Sequence, residues 1–193
     1  VPKQELPELL RQIYAYWGDL VTRVGLMVQS RVFVRPIEVV SMKWTDLRPD
    51  DGVWVIPEED MKGEEGERKP HVVPLPPRVW QIIELLRPLN GEHVYVFASM
   101  DNPKKPISTN ALLFALYRVG YRGRMTTHGF RAVASTILNE SGLWHKDAVE
   151  RQLAHKEKDE VRGAYNRAEH FEERKRMMQW WSDYLDDLVP LDL

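Results

Sequence analysis

The segment THGFRAVASTILNESG, residues 127–142, predicts one helix that runs from Thr127 to Asn139 and ends at the closing glycine. Glycine is common just past a helix end, where the backbone turns left-handed. His128 and Arg131 are three residues apart, so a helix would present both on one face. The first turn of a helix also carries unpaired N–H groups and a partial positive charge, which attract anions. The segment therefore predicts a helix start that is suited to bind a phosphate.

Much of the remaining chain also has helical spacing. Over residues 171–188, apolar side chains recur at alternate steps of three and four, the spacing of one helix face. This stripe comprises Met178, Trp181, Leu185 and Leu188. Such a stripe must be covered by the chain's own core or by a neighbouring molecule. Further helices are predicted over residues 7–30, 36–44, 77–87, 110–119, 147–153 and 160–166.

A small sheet is predicted in the middle of the chain. Residues 52–56 and 71–75 read as two strands joined by the polar loop 58–70, and residues 94–97 read as a third strand. Pro36 suits the first position of a helix, which places Arg35 at the cap and Glu38 in the first turn. The predicted fold class is mainly α with a small antiparallel β-sheet (α+β), formed by one domain over residues 1–193.

Composition narrows the class of protein. The 193 residues are 43% hydrophobic and 29% charged, an ordinary globular mixture, and the absence of cysteine excludes disulfides and thiol catalysis. No apolar run is long enough for a membrane span, and we expect a cytoplasmic protein. The first residue is Val1, which indicates a piece of a longer chain. The net charge of −2 is unusual for a DNA-binding protein, so bound DNA would need the basic residues of 103–131 sorted onto one face.

Six residues in five short patterns suit phosphoryl transfer without a metal. Two guanidinium groups can bind the non-bridging oxygens of one phosphate, and histidine and lysine can donate protons. A tyrosine hydroxyl titrates near ~10, so it needs positive neighbours or a base in order to attack. Taken singly, each residue also fits a structural role, such as a surface ion pair, a solvated loop lysine or a core histidine. In chain order the six are Arg35, Lys62, His128, Arg131, His155 and Tyr165.

The order of these residues, together with the sequence around them, resembles the tyrosine recombinases of the phage-integrase family. Arginine, a hairpin lysine, His-x-x-Arg, a histidine and then tyrosine is the catalytic order of that family. Three stretches resemble sequence motifs of that family: THGFRAVASTILNESG, PHVVPLPP and ERQLAHKEKDEVRGAYNRAEHFEERKRMMQWWSDYLD. The resemblance extends over residues 7–187. They are most similar to prophage integrases of the satellite-phage type.

This resemblance implies a mechanism for the six residues. Tyr165 would attack the scissile phosphodiester and give a 3′-phosphotyrosyl bond and a free 5′-hydroxyl, while the two arginines hold the phosphate. Lys62 would protonate the leaving oxygen, His128 would assist proton movement and His155 would donate a hydrogen bond. Glu38 would fix Arg35. No cofactor or metal is implied.

The resemblance also implies partners. These are double-stranded DNA at an attachment site, a homo-tetramer in the synaptic complex and DNA-bending accessory proteins, with the bacterial cytoplasm as location. The carboxyl-terminal helix would dock on a neighbouring protomer, with folding back onto its own core as the alternative. The family's amino-terminal core-binding and arm-binding domains are not expected within these 193 residues.

Two departures and several alternatives stay open. Ile37 stands where the family often has glycine, and the acidic loop after Lys62 leaves Lys69 and, more weakly, His71 as competing candidates. A type IB topoisomerase-like nicking enzyme would use the same residues. A telomere resolvase or transposase would differ only in substrate. A non-catalytic DNA-binding module would not need all six active-site residues. A metal hydrolase that uses the six histidines has little support, because no His-x-x-x-His or paired-carboxylate spacing surrounds them.

Overall fold

A computed structural model describes residues 1–155 and 170–193 of the chain as a helical fold around a small sheet. Within these residues, none of the helices is both long and apolar enough to cross a membrane. The helices are α1 (Leu6–Tyr14), α2 (Leu20–Val32), α3 (Pro36–Val40), α4 (Pro77–Glu84), α5 (Arg87–Asn90), α6 (Thr109–Leu116), α7 (Gly129–Ser141), α8 (Lys146–Gln152) and α9 (Phe171–Leu188). The mainly α fold class is therefore confirmed. The helix predicted over residues 160–166, with Tyr165, lies outside the described residues.

The sheet has three antiparallel strands in the order β1-β2-β3, which are Leu47–Arg48, Val53–Ile56 and His71–Pro74. The predicted hairpin is confirmed, with Ile56 opposite His71. β1 has only two residues, too few to show an alternating pattern. The strand predicted over residues 94–97 is wrong, since within the described part of the chain this segment forms an isolated bridge from Lys43 to Tyr95 and separate hydrogen bonds, such as that from the Ile107 N–H to the Phe97 carbonyl at 2.8 Å, instead of a strand ladder.

The single helix predicted over residues 7–30 is in fact two helices. The Asp19 side chain accepts a hydrogen bond from the Thr22 N–H at 2.8 Å and caps the start of α2. Between the two helices the chain turns tightly, and a Cβ added at Gly18 would lie 2.3 Å from the Tyr16 hydroxyl oxygen. The capping aspartate and the close approach at the glycine explain why the apolar periodicity does not continue as one helix.

α2 is the central helix of the core, and it sets the position of the segment that follows. It packs against α1, α3, α4, α6, α7 and α9, and nearly all of its residues are buried. The helix ends at Phe33, whose backbone is left-handed at φ 39°. Pro36 then starts α3 as predicted, although α3 ends at Val40 and does not reach Trp44. The buried α2 thus fixes Arg35 in the bend between two helices.

The apolar stripe of α9 is covered by the chain's own core. Met178, Trp181 and Leu185 are buried, and the Trp181 Nε1 donates to the Ser30 carbonyl of α2 at 2.9 Å. The Arg31 guanidinium of α2 adds an ion pair with Asp186 at 2.7 Å. Folding back onto the core, the alternative to docking on a neighbour, is therefore what the structure shows.

Candidate functional site

Arg35 caps the start of α3 and is held there by Glu38. The buried Glu38 carboxylate accepts from the Arg35 backbone N–H at 2.8 Å through Oε2 and from Nη1 at 2.9 Å through Oε1. One carboxylate thus fixes both the backbone and the guanidinium, as predicted for Glu38. Among the described residues, the other guanidinium nitrogens have no hydrogen-bond partner, so they can bind a ligand.

Arg131 lies in the first turn of α7 and connects two bends of the backbone. Its Nη1 donates to the Phe33 carbonyl at 3.2 Å, and its Nη2 donates to the Leu153 carbonyl at 2.9 Å. Phe33 and Ala154, at φ 39° and 52°, are the two described non-glycine residues with positive φ. Such backbone is unfavourable unless its surroundings hold it. Arg131 therefore stabilises both the bend that leads to Arg35 and the turn that leads to His155.

The electrostatics of this pair favour an anion. Partial burial lowers the pKa of the Arg131 guanidinium, the charge of Arg35 lowers it further, and Glu38 opposes the effect. Two guanidinium groups that repel each other in a partly desolvated site gain when a bound anion neutralises them. The pair therefore has the charge and the geometry to bind a phosphate.

A cavity of about 730 Å³ opens beside the two arginines. His128, at the start of α7, and the exposed Lys62, from the loop between β2 and β3, contribute to its wall, whereas Lys69 does not. Asp60 is the one carboxylate among the described lining residues, and it pairs with Lys43 at 3.4 Å. The described lining is Arg35, Pro36, Ile37, Asp60, Met61, Lys62, Thr109, Asn110, Leu113, Thr127, His128 and Arg131.

The structure thus brings together four of the six predicted site residues. His155 is outside the described lining of the cavity, half-exposed, with its Nδ1 2.6 Å from Glu150 Oε2. It follows the turn whose Leu153 carbonyl contacts Arg131, so it is adjacent to the site in the chain. Tyr165 lies outside the described residues.

His71, the weaker alternative for the acid, lies buried at the start of β3. Its Nε2 donates to the Gln152 carbonyl at 3.1 Å. Burial lowers the pKa of His71 to about 3, and the charges of Arg174, Arg35 and Arg131 act in the same direction. A neutral imidazole in a buried position is poorly placed to protonate a leaving oxygen, so this geometry does not support His71 as the acid.

Sequence reasoning missed two polar residues beneath the site, Gln152 and Arg174. Both are buried, and the Arg174 Nη2 donates to the Gln152 Oε1 at 2.8 Å. A signal was available for Arg174, since it lies three and four residues before Met177 and Met178, on the buried face of α9. A charged residue at such a position indicates a buried polar contact.

One group of described residues has donor atoms close enough for a metal ion. Ligand atoms of His145, Asp147 and His170 lie within 4.8 Å of one another at the starts of α8 and α9. Helix amino termini carry partial positive charge, which disfavours a cation. Glu173 already accepts from the His145 N–H at 2.7 Å and lies 3.1 Å from His170 Nδ1. These contacts fit a pair of helix starts joined by one glutamate.

The chain is similar in sequence to known phage proteins. The model of the Phage integrase family matches residues 1–171. The chain is 36% identical to the integrase of Enterobacteria phage P4, over 96% of this chain and 45% of the relative. It is 37% identical to the integrase of Shigella phage Sf6, over 98% of this chain and 48% of the relative. The chain therefore spans about half the length of these curated relatives.

Solved structures show the same fold at low sequence identity. The XerH site-specific recombinase, in a pre-cleavage complex with its difH substrate, is similar with a TM-score of 0.63 and 14% identity, over 81% of this chain and 47% of that one. A lambda integrase dimer bound to a COC′ core site gives 0.58 and 15%, over 78% and 56%. From its sequence match over most of its length, with the fold in agreement, the chain belongs to the phage integrase family.

Proposed function

We propose that this chain is the catalytic domain of a site-specific DNA recombinase, which cuts and rejoins strands through a covalent bond to Tyr165. The observation that carries the proposal is the cavity where Arg35 and Arg131 meet His128 and Lys62. Two fixed guanidinium groups beside a helix start form a site for one phosphate. The integration or excision of a prophage or mobile element is the reaction that the relatives' names suggest.

The chemistry is an in-line displacement at phosphorus. The Tyr165 oxygen bonds to phosphorus, and the bond from phosphorus to the 5′ oxygen breaks. Lys62 transfers a proton to the departing oxygen, and His128 assists removal of the tyrosine proton. Arg35 and Arg131 stabilise the extra negative charge of the transition state, where a preorganised positive environment has its largest effect. The new ester keeps the bond energy, so a 5′-hydroxyl of another strand reverses the step without a cofactor.

Two placements support these roles. Lys62 lines the cavity and Lys69 does not, which favours Lys62 as the acid. Ile37, at the position where the family often has glycine, is half-exposed and also lines the cavity, so it offers an apolar contact beside the phosphate. His155 is assigned a hydrogen bond to the phosphate, which requires its ring to leave Glu150 when DNA binds.

The proposed partner is double-stranded DNA carrying the element's attachment site. Recombination between two duplexes needs four active sites, so we propose a homo-tetramer in the synaptic complex and accessory proteins that bend the DNA. Exposed basic residues before and after α6, a helix that contributes to the cavity wall, support a DNA-facing surface. These are Lys104, Lys105, Arg118, Arg122 and Arg124.

The test is trapping of the covalent intermediate. The full-length protein is incubated with a duplex that carries the attachment core and a nick, and a denaturing gel is run for a protein–DNA adduct. We expect an adduct with the wild type and none with Tyr165→Phe, whereas Tyr117→Phe should keep it. An adduct with Tyr165→Phe would contradict the proposal. Relaxation of supercoiled DNA without any recombinant product would instead identify a topoisomerase-like enzyme.

A further inference from the structure

Beneath the cavity lies a buried polar network formed by His71, Gln152 and Arg174, which we call the Gln152 network. We propose that Arg174 is a positioning residue of the phosphate site, acting through Gln152 on the seating of Arg131. This inference rests on the proposed function, because it assigns a purpose to a residue that is not part of the described lining of the cavity.

The contacts of the network hold Gln152 from several sides. The Arg174 Nε and Nη2 donate to the Gln152 Oε1 at 3.3 and 2.8 Å, and Nη2 also donates to the Val72 carbonyl of β3 at 2.6 Å. The Gln152 Nε2 donates to the Val32 carbonyl at 3.1 Å, and the Gln152 carbonyl accepts from His71 at 3.1 Å. The end of α8 is thereby joined to α2, β3 and α9.

This network lies one residue away from both carbonyls that hold Arg131. Gln152 precedes Leu153, whose carbonyl accepts from Arg131 at 2.9 Å. Gln152 also binds the carbonyl of Val32, which precedes Phe33, the second acceptor of Arg131 at 3.2 Å. One acceptor therefore follows Gln152 itself, and the other follows a residue that Gln152 binds directly. If the Gln152 side chain rotates, the two carbonyls move, and the Arg131 guanidinium that should hold the phosphate is no longer fixed in position.

The chemical nature of Arg174 supports a specific purpose. Its exposed fraction is 6%, and among the described residues no carboxylate pairs with it. Burial lowers the pKa of its guanidinium to about 10, with Arg151 adding to the effect. A buried charge without an opposite charge is costly, and methionine would pack at this position of α9 without that cost. The planar fork of arginine supplies what methionine lacks, which is simultaneous bonds to Gln152 and to β3.

The test is a double-mutant cycle on the rate of adduct formation by the full-length protein under single-turnover conditions. Arg174→Met should slow cleavage about 10- to 100-fold, the scale expected when a catalytic group is misplaced by about 1 Å. Residues in one network give non-additive effects. In a protein that already carries Arg131→Lys, adding Arg174→Met should therefore slow adduct formation by less than about a further 2-fold.

Arg31→Met is the matched control. Arg31 is also a buried arginine that ties α2 to α9, but its described hydrogen bonds go to Tyr14, Ser182 and Asp186, and none of them goes to the turn at residues 152–155. In the double variant, the fold-reductions in rate caused by Arg31→Met and by Arg131→Lys should multiply, as expected for independent sites. Arg174→Lys keeps the charge and much of the volume, so it should fold even if the methionine variant does not, and it should show the same coupling.

Two outcomes separate the inference from the function beneath it. If both Arg174 variants multiply with Arg131→Lys as Arg31→Met does, Arg174 only stabilises the fold and the inference is overturned. If the wild type forms no adduct, the proposed function itself fails, and with it the premise of a positioning role.

Discussion

Lys62 lies near the middle of the loop between β2 and β3, Lys69 lies near its end, and both are candidates for the general acid. An alkoxide leaving group needs a proton, and the loss of a general acid costs ~10²–10⁴ in rate. A 5′-bridging phosphorothioate leaves as a thiolate and scarcely needs a proton. Lys62→Ala should therefore cleave the ordinary substrate slowly and the sulfur-substituted one at nearly the wild-type rate. The two rates are measured on matched nicked duplexes.

Two variants test this assignment from either side. Arg131→Ala should stay slow on both substrates, because its role is charge stabilisation. Lys69→Ala should be close to wild type on both. Rescue of Lys69→Ala by sulfur, with Lys62→Ala slow on both substrates, would move the acid to the far end of the loop.

His71 should make the stability of the protein depend on pH in the acid range. Its pKa is lowered from 6.5 to about 3 by burial and by nearby arginines. The folded state therefore favours the neutral ring, and this contribution is fully present above pH 6.5 and is lost as pH falls from 6.5 towards 3. His71→Gln keeps an N–H for the Gln152 carbonyl but cannot be protonated, so its free energy of unfolding should fall less over this range.

The comparison is made by urea unfolding at several pH values between 7.5 and 4.5. His93→Gln, which changes an exposed histidine, should follow the wild type. Equal pH slopes for the wild type and His71→Gln would show that His71 is not buried in its neutral form.

At the scale of residues, the sequence identified the groups whose types and spacing carry chemistry. Arg35, Lys62, His128 and Arg131 line one cavity. Helix spacing accounts for the pair His128 and Arg131, whereas the tertiary fold brings in the other two. Gln152 escaped notice because a glutamine within a mostly charged segment resembles an ordinary surface residue. Its importance comes from carbonyls that are distant in sequence, such as that of Val32, and the sequence contains no pattern for such contacts.

At the scale of elements, long periodic segments were predictable and short ones were not. α9 spans Phe171–Leu188 as predicted, because eighteen residues give a clear apolar stripe. α7 ends at Ser141 and is followed by Gly142 at φ 67°, where glycine permits the left-handed turn. The strand predicted at 94–97 was wrong because Val96 and Phe97, two consecutive buried apolar residues, look like part of a buried strand in the sequence. In the structure the segment packs against other elements and forms an isolated bridge instead of a strand ladder.

Because α9 packs onto its own core, its stripe should matter for folding. Trp181 is 2% exposed, and its ring meets Phe33 edge-on at 6.0 Å between centroids. Trp181→Ala should lower the free energy of unfolding by about 3–5 kcal/mol, the usual cost of truncating a buried aromatic side chain. Trp17→Ala, at a residue 78% exposed, is the control and should change it by less than ~0.5 kcal/mol. A stable Trp181→Ala protein that fails only in synapsis would favour docking on a neighbour.

At the scale of the whole molecule, positive charge is not in excess, but exposed basic residues are concentrated in one part of the chain. The net charge is −2, yet exposed basic residues lie before α6, at 104–105, and after its end, at 118–124, and α6 itself contributes to the cavity wall. A local cationic surface suffices to bind phosphates, because salt at ~0.1 M limits the range over which exposed charges interact to about 10 Å. Distant acidic residues therefore have little effect on it. Arg124 is paired with Glu5 at 2.6 Å, so the described surface is also partly neutralised by its own acids. Overall composition thus hides a feature that only the placement of residues reveals.

The same placement predicts how cleavage responds to a chelator. A two-metal nuclease needs several carboxylates around the phosphate, whereas the described lining here contains one, Asp60, which already pairs with Lys43. Charge stabilisation is assigned instead to Arg35 and Arg131. Adduct formation on the nicked duplex should therefore proceed at an unchanged rate in EDTA, while a magnesium-dependent nuclease in the same buffer stops. Loss of the adduct in EDTA, with recovery when magnesium is added, would reject the guanidinium mechanism in favour of metal-assisted cleavage.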